Sequence, residues 1–123
     1  MKKVKKTGGV GRQIVVFDQV DSTYTGGVHI NAEKAKERFS DGVVPAGTLL
    51  IPDTEGMFKP LNEDLSTVNV VGAIGLTAHD VVIDDMPLVA VVMAGTARKD
   101  ALPDKEKAGV GFIKTVLPRI SFV

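Results

Sequence analysis

The apolar positions of this chain come in short runs that are separated by polar and glycine-rich segments. The first run, Ile14-Val15-Val16-Phe17, is β-branched and aromatic and is long enough for one strand. A basic, glycine-rich segment without periodicity precedes it, and a polar stretch over residues 18–27 follows it. We therefore predict a flexible N-terminal arm that carries one isolated strand.

A short helix is predicted from Ala32 to about Phe39, because Asn31 can cap it and Glu33 lies in its first turn. From Val43 onward the pattern changes to short apolar runs between turns. The predicted strands lie at 48–51, 57–61, 68–76, 81–83 and 88–94, and the first two are expected to form a hairpin.

A second helix is predicted over about 104–116, and two glycines, Gly109 and Gly111, weaken it. Its apolar stripe is expected to consist of Ala108, Phe112, Val116 and Leu117. Beyond it, residues 119–123 alternate between polar and apolar positions, which predicts a closing strand.

Together these elements predict an α+β fold that is rich in strands. Residues 1–42 are interpreted as the arm, with its short strand and short helix, and residues 43–123 as the body. The body should be small and compact, barrel-like or sandwich-like, with one or two short helices. A chain of 123 residues suits one domain whose stability is expected to depend partly on a partner or on self-association.

The net charge of zero hides an asymmetry between the start of the chain and the rest. Residues 1–17 have a net charge of +5 and no acidic residue, whereas residues 18–123 have a net charge of −5. The positive charges belong to Lys2, Lys3, Lys5, Lys6 and Arg12. Two interpretations stay open: the arm seeks a negative surface, or it is a solvated start that keeps the protein soluble.

The sequence shows none of the residue patterns that usually mark a catalytic site. The absence of cysteine excludes disulfides, thiolate nucleophiles and cysteine-bound zinc. The two histidines, His29 and His79, lack the further ligands of a metal site, and no serine stands in a Gly-x-Ser-x-Gly elbow. Asp84-Asp85 is typical of a solvated turn, and neither glycine cluster, at 8–11 or 72–75, has the context of a phosphate loop. We therefore predict that the protein is not an enzyme and has no catalytic residue, cofactor or metal.

The sequence favours binding to another protein over binding to nucleic acid or to a membrane. The arm lacks aromatic side chains for base stacking and a helical pattern for a DNA groove. No apolar run approaches the roughly 20 residues of a membrane span, so we expect a soluble protein made in the cytoplasm. The isolated strand can add to the edge of another protein's sheet, or it can pair with the body's own sheet, and both alternatives stay open.

Over residues 43–123 the chain resembles the lambda-type phage head decoration proteins. The resemblance lies in the order and spacing of several segments, and no single motif is diagnostic. The segments are PAGTLL at 45–50, GMFKPL at 56–61, VGAIGL at 71–76, LVAVV at 88–92, AGTAR at 94–98 and ALP at 101–103. A helix and a short terminal strand follow in the family's order, whereas residues 1–42 are longer and more helical than the usual N-terminal segment of the family.

The resemblance implies a homotrimer that binds the major capsid protein on the outside of an icosahedral shell, at threefold and quasi-threefold positions. Family members bind after the shell expands and brace it against the pressure of packaged DNA. Their arms become ordered by pairing with strands of the capsid protein. Carried onto this sequence, Ile14, Val15, Val16 and Phe17 would be the pairing strand and the five basic residues its electrostatic guide. The expected location is the exterior of the virion, after synthesis in the host cytoplasm.

A second interpretation is a small β-domain of a head fibre or adhesion module that binds a protein or a glycan. The glycan version is disfavoured because the chain has one Tyr and no Trp for stacking on sugars. An enzyme with an unfamiliar site is the third interpretation.

Overall fold

The computed structural model describes residues 15–123. Ten strands and three α-helices lie in this range. The strands are β1 (Phe17–Thr23), β2 (Val28–His29), β3 (Val43–Val44), β4 (Leu49–Pro52), β5 (Phe58–Pro60), β6 (Gly75–Thr77), β7 (Val81–Val82), β8 (Leu88–Val89), β9 (Val91–Ala97) and β10 (Ile120–Phe122). The helices are α1 (Ala32–Arg38), α2 (Asp104–Ala108) and α3 (Val110–Val116). The prediction of a strand-rich α+β fold is thus confirmed.

Strand β9 is the centre of the main sheet, whose order is β1-β9-β6-β4-β5. Strand β10 also pairs with β9 and runs parallel to it, whereas the other pairs of this sheet are antiparallel. Two further sheets of two strands each join β2 to β8 and β3 to β7. Most of β9 is buried, as expected for a strand covered on both faces, but it begins at Val91 and the separate strand β8 precedes it.

Two clusters of buried apolar side chains form the core, and residues before position 43 contribute to both. The first cluster includes Val16, and the second includes Val28, Ile30 and Ala35. These side chains pack against residues from the later part of the chain, such as Leu49 in the first cluster. The part of residues 1–42 that the structure describes is therefore folded onto the body.

The local signals for the first helix and for the hairpin are confirmed. Asn31 caps α1, since its Oδ1 accepts hydrogen bonds from the backbone N–H groups of Glu33 at 3.1 Å and Lys34 at 3.2 Å. Strands β4 and β5 pair in antiparallel fashion around a short 3-10 turn at Thr54–Gly56. The closing strand is confirmed as β10.

The prediction of one buried strand over 68–76 was wrong except at its end, where β6 begins at Gly75. Residues 67–72 form turns, in which the Ser66 side chain and nearby backbone carbonyls accept hydrogen bonds from N–H groups that a sheet would need. Ser66 Oγ accepts from the N–H of Asn69 at 3.2 Å, and Asn69 Oδ1 accepts from the N–H of Ser66 at 2.8 Å. Val68 and Val71 are consequently exposed, although Val70 is buried.

The second predicted helix is interrupted at Gly109, which separates α2 from α3. Gly109 packs against Leu65, where a Cβ would come within 2.7 Å of the leucine Cβ, so the close approach requires glycine. The expected apolar stripe was wrong for Ala108 and Phe112, which are exposed, and right for Leu117, which is buried, and for Val116, which packs half-buried against the first core cluster. The buried face instead carries Glu106, Gly109, Ile113 and Leu117.

Candidate binding surface at the start of β1

The residues proposed from the sequence for binding divide between two parts of the chain. Lys2, Lys3, Lys5, Lys6, Arg12 and Ile14 lie outside the described residues. Val15, Val16 and Phe17 lie within them, at the start of β1. Val15 is 58% exposed, whereas Val16 is only 3% exposed. Adjacent valines thus point to opposite environments.

Val16 belongs to the core of the fold. It packs in the first core cluster, and its carbonyl oxygen accepts a hydrogen bond of 2.7 Å from the backbone N–H of Arg98. Gly47 makes room for it, because a Cβ at Gly47 would lie 3.1 Å from Val16 Cγ1 and 2.9 Å from Leu102 Cδ2. The sequence left open whether this segment adds to another protein's sheet or pairs with the chain's own sheet. Val16 and Phe17 contact the chain's own sheet.

The strand itself lies further along the chain than the sequence predicts. It starts at Phe17, which pairs with Ala97, and continues to Thr23 through residues that we expected to form a polar loop. Gly95 permits this pairing: a Cβ there would overlap the carbonyl oxygen of Gln19 and come within 3.2 Å of the Val20 Cα. Asp18 adds an exposed ion pair to Arg98, with 2.6 Å between Oδ1 and Nε.

Strand β1 forms one edge of the main sheet. Among the described residues, no strand pairs with its outer side, and five of its seven residues are exposed. Its pairing with β9 contains three register shifts, and it carries two carboxylates, Asp18 and Asp21. Bulges and charges of this kind disfavour edge-to-edge pairing between sheets. They therefore disfavour pairing of β1 with the same strand of another copy.

A groove of about 870 Å³ lies beside the start of β1. We call it the Val15 groove, and its lining residues are Val15, Asp18, Arg98, Asp100, Ala101, Leu102, Pro103, Asp104, Lys107 and Val123. The buried side chains of Leu102 and Pro103 form an apolar floor, and the exposed side chains of Val15 and Val123 form apolar parts of the rim. This volume lies in the range of about 300–1,000 Å³ that is typical of ligand-binding clefts.

The histidines and acidic turns that the sequence singled out do not come together. His79 Nδ1 lies 2.9 Å from the carbonyl oxygen of Asp80, while the Asp80 carboxylate accepts a hydrogen bond of 2.6 Å from the N–H of Ala46. Asp84 Oδ1 accepts from the N–H of Met86 at 2.9 Å, consistent with a turn. Within residues 15–123, no group of three or more His, Cys, Asp or Glu side chains is arranged to hold a metal ion.

Sequence reasoning missed most of the Val15 groove. Val15 was proposed, but Asp18, Arg98 and the residues of the 100–107 segment were not. No local signal marks them, because Asp18 and Arg98 are 80 positions apart and meet only through the β1–β9 pairing.

No family model matches the chain, and no curated protein matches it. None of the helices in residues 15–123 is long and apolar enough to cross a bilayer.

Proposed function

We propose that this chain is a decoration protein of an icosahedral viral capsid. In this role it binds the major capsid protein on the outside of the shell as a homotrimer, at threefold and quasi-threefold positions. It stabilises the expanded shell against the pressure of packaged DNA. The order and spacing of the segments at 45–50, 56–61, 71–76, 88–92, 94–98 and 101–103 support this proposal through their resemblance to the lambda-type decoration family.

The observation that carries the proposal is the surface at which residues 1–14 join the body. Val16 is held in the core, so the described part of the chain begins at one defined point of the body, next to the open edge of β1. Val15 is exposed at that point and lines the groove. A partner segment that reaches the start of β1 would therefore meet the exposed Val15 side chain and the concave surface beside it.

The trimer accounts for how weak contacts at this surface would hold a shell together. Each copy of the trimer contributes one N-terminal segment and one Val15 groove. Once one copy has bound the shell, the effective concentration of the other two copies at their own sites rises. Ordering a segment costs conformational entropy, which keeps the affinity of a single contact low and disfavours attachment to the wrong surface. Tight binding would then require the symmetric arrangement of capsid subunits that matches the trimer.

The test is binding to expanded, DNA-free shells of the virus that carries the chain, measured by co-sedimentation. A variant that lacks residues 2–13 keeps Val16 and Phe17, so its stability to urea should equal that of the full chain. It should lose at least tenfold in shell affinity, and sedimentation velocity of the full chain should give a trimer in solution or on the shell. Failure of the full chain to bind shells would overturn the proposal, and equal binding by the shortened chain would overturn the role of residues 2–13.

A further inference from the structure

The rim of the Val15 groove carries apolar side chains that the fold leaves exposed within the described residues, whereas its apolar floor is already buried. Val15 is 58% exposed and Val123 is 60% exposed, although both side chains are apolar. Leu102 and Pro103 lie buried beneath them. A partner with apolar side chains would remove this surface from water, at about 25 cal/mol for each Å² of apolar area buried.

The carboxylates at the groove differ in how they are neutralised. Asp18 forms an ion pair of 2.6 Å with Arg98. Asp100 and Asp104 are both exposed, and within residues 15–123 neither forms a salt bridge. Lys107 is the other cation of the lining, so the groove keeps a net negative charge. An occupant that covers these carboxylates must supply a cation, since a desolvated and unpaired charge is costly.

These charges decide between the possible occupants. A second copy of the body is disfavoured as the occupant of this groove because residues 18–123 have a net charge of −5, and the contacts of the proposed trimer are therefore expected on other surfaces. Nucleic acid is disfavoured because phosphates would face the carboxylates of Asp100 and Asp104. A sugar is disfavoured because the lining contains no aromatic side chain. A peptide with apolar and cationic side chains satisfies both the apolar rim and the carboxylates. Residues 1–17 of the chain, with a net charge of +5, share this chemistry, and replacing their lysines by glutamine separates them from a segment of a partner.

We infer that the Val15 groove binds an extended apolar segment of the capsid protein that carries a lysine or arginine side chain. The inference rests on the proposed function for the identity of the partner, but the recognition itself depends only on the groove. The apolar side chains of the segment pack against Val15 and Val123 above the buried floor, and its cation lies between the carboxylates of Asp100 and Asp104. The groove thereby adds a second contact to the one made by the N-terminal segment.

The experiment is an NMR titration of the full, ¹⁵N-labelled chain with two acetylated pentapeptides. One alternates valine and lysine, and the other alternates valine and glutamate. The lysine peptide should shift the amide signals of the groove residues in a saturable way, with an affinity at least tenfold above that of the glutamate peptide. Equal shifts with both peptides, or shifts centred away from the groove, would overturn the inference.

Two variants and a control test the carboxylates. Asp100→Lys/Asp104→Lys should reverse the preference between the peptides, and the milder Asp100→Asn/Asp104→Asn, which is less disruptive to the first turn of α2, should weaken lysine-peptide binding at least fivefold. Glu63→Lys/Asp85→Lys changes the charge by the same amount at exposed sites outside the groove and should leave both affinities unchanged. Unaltered binding by both Asp100/Asp104 variants would contradict the assignment.

The remaining outcomes separate this inference from the proposed function. Lysine-peptide binding that emerges only after Lys2, Lys3, Lys5 and Lys6 are replaced by glutamine would assign the groove to the chain's own N-terminal segment and overturn the capsid segment as occupant. Shell binding that is normal in both Asp100/Asp104 variants would leave the proposed function standing and overturn the inference. Peptide binding at the groove without any shell binding would support the recognition chemistry and overturn the proposed function.

Discussion

Arg38 and Glu106 form a buried ion pair that joins the first helix to the second. Arg38 Nη1 donates a hydrogen bond of 2.8 Å to Glu106 Oε2, and Nη2 donates to Oε1. The two side chains are 5% and 0% exposed. Glu106 Oε2 also accepts from the backbone N–H of Leu49 at 3.0 Å, so one carboxylate ties α1 and α2 to β4. Residues 32–38 are thereby held on the body by a charge pair as well as by apolar packing.

Replacement of Arg38 by alanine is expected to destabilise the protein strongly. The change leaves the Glu106 carboxylate buried without its cation, and breaking a buried pair from one side costs about 3–5 kcal/mol. The free energy of unfolding, obtained from urea denaturation followed by circular dichroism, measures the effect. Lys105→Ala is the matched control, because Lys105 pairs with a fully exposed carboxylate on Asp64 and should shift the urea midpoint little.

The double variant Arg38→Met/Glu106→Gln separates the net contribution of the pair from the cost of a lone buried charge. Glutamine keeps an oxygen that can accept from the Leu49 N–H, and methionine fills the volume of the arginine stem. The double variant should recover most of the stability that Arg38→Ala loses. If it is as unstable as the single variant, the charge pair itself stabilises the fold and the argument from desolvation is wrong.

Val15 and Val16 are expected to give opposite results when each is replaced by alanine. Val16→Ala opens a cavity beside Gly47 and Leu102, and should reduce the free energy of unfolding by about 1.5–3 kcal/mol. Val15→Ala removes exposed methyl groups, so stability should stay the same while binding at the groove weakens. Urea denaturation and shell co-sedimentation measure the two effects. Equal loss of stability in both variants would contradict the exposed position of Val15 and the buried position of Val16.

The elements that sequence reasoning predicted correctly depend on neighbouring residues. Asn31 caps α1 through bonds to residues two and three positions away, and the β4–β5 hairpin is closed by a turn at Thr54–Gly56. Such signals are local, so the pattern of residue types is enough to find them. The error over residues 68–73 has the same origin, because valines suggested a strand while Ser66 and Asn69 imposed turns.

Strand β1 and the groove could not be predicted from local patterns. Residues 18–23 are mostly polar because both faces of this edge strand meet solvent, so their composition resembles that of a loop. They form a strand because β9, more than 65 positions later, supplies the backbone partners and Gly95 supplies the space. The pairing of Arg38 with Glu106 was likewise hidden, since the residues are 68 positions apart.

Gly95→Ala should dislodge β1 from the sheet. A Cβ at this position would overlap the Gln19 carbonyl oxygen, and backbone atoms cannot move aside without breaking the β1–β9 pairing. We expect a loss of about 1–3 kcal/mol in the free energy of unfolding and faster hydrogen exchange at the amides of residues 17–23. Gly111→Ala is the control: it meets open space on α3 and should stabilise the protein by about 0.4–1 kcal/mol. Normal exchange protection of β1 in Gly95→Ala would refute the role assigned to Gly95.

Asp53 is expected to make stability depend on pH in the acidic range. Burial raises the pKa of this carboxyl, but hydrogen bonds from the Thr54 backbone and from Asn31, with the charges of Lys34 and Lys59, lower it by more, and the net pKa lies below its ordinary value. Asn31 Nδ2 donates to Asp53 Oδ2 at 2.9 Å, and Lys34 Nζ lies 3.8 Å from Oδ1. A lowered pKa in the folded state means that the ionised carboxylate stabilises the fold above the unfolded-state pKa of about 3.9, and that this stabilisation is lost as pH falls through the lower, folded-state pKa.

Comparison of the natural chain with Asp53→Asn isolates this contribution, because all other carboxyls titrate in both proteins. The difference in free energy of unfolding should be constant above about pH 5 and should shrink as pH falls below about 4, measured by urea denaturation between about pH 3 and 6. Lys34→Gln, which removes one of the charges that lower the pKa, should bring the folded-state pKa closer to the unfolded-state value and so make this pH-dependent difference smaller. A difference in free energy of unfolding that stays constant, or that grows as the pH falls, would show that the ionised carboxylate of Asp53 does not stabilise the folded protein.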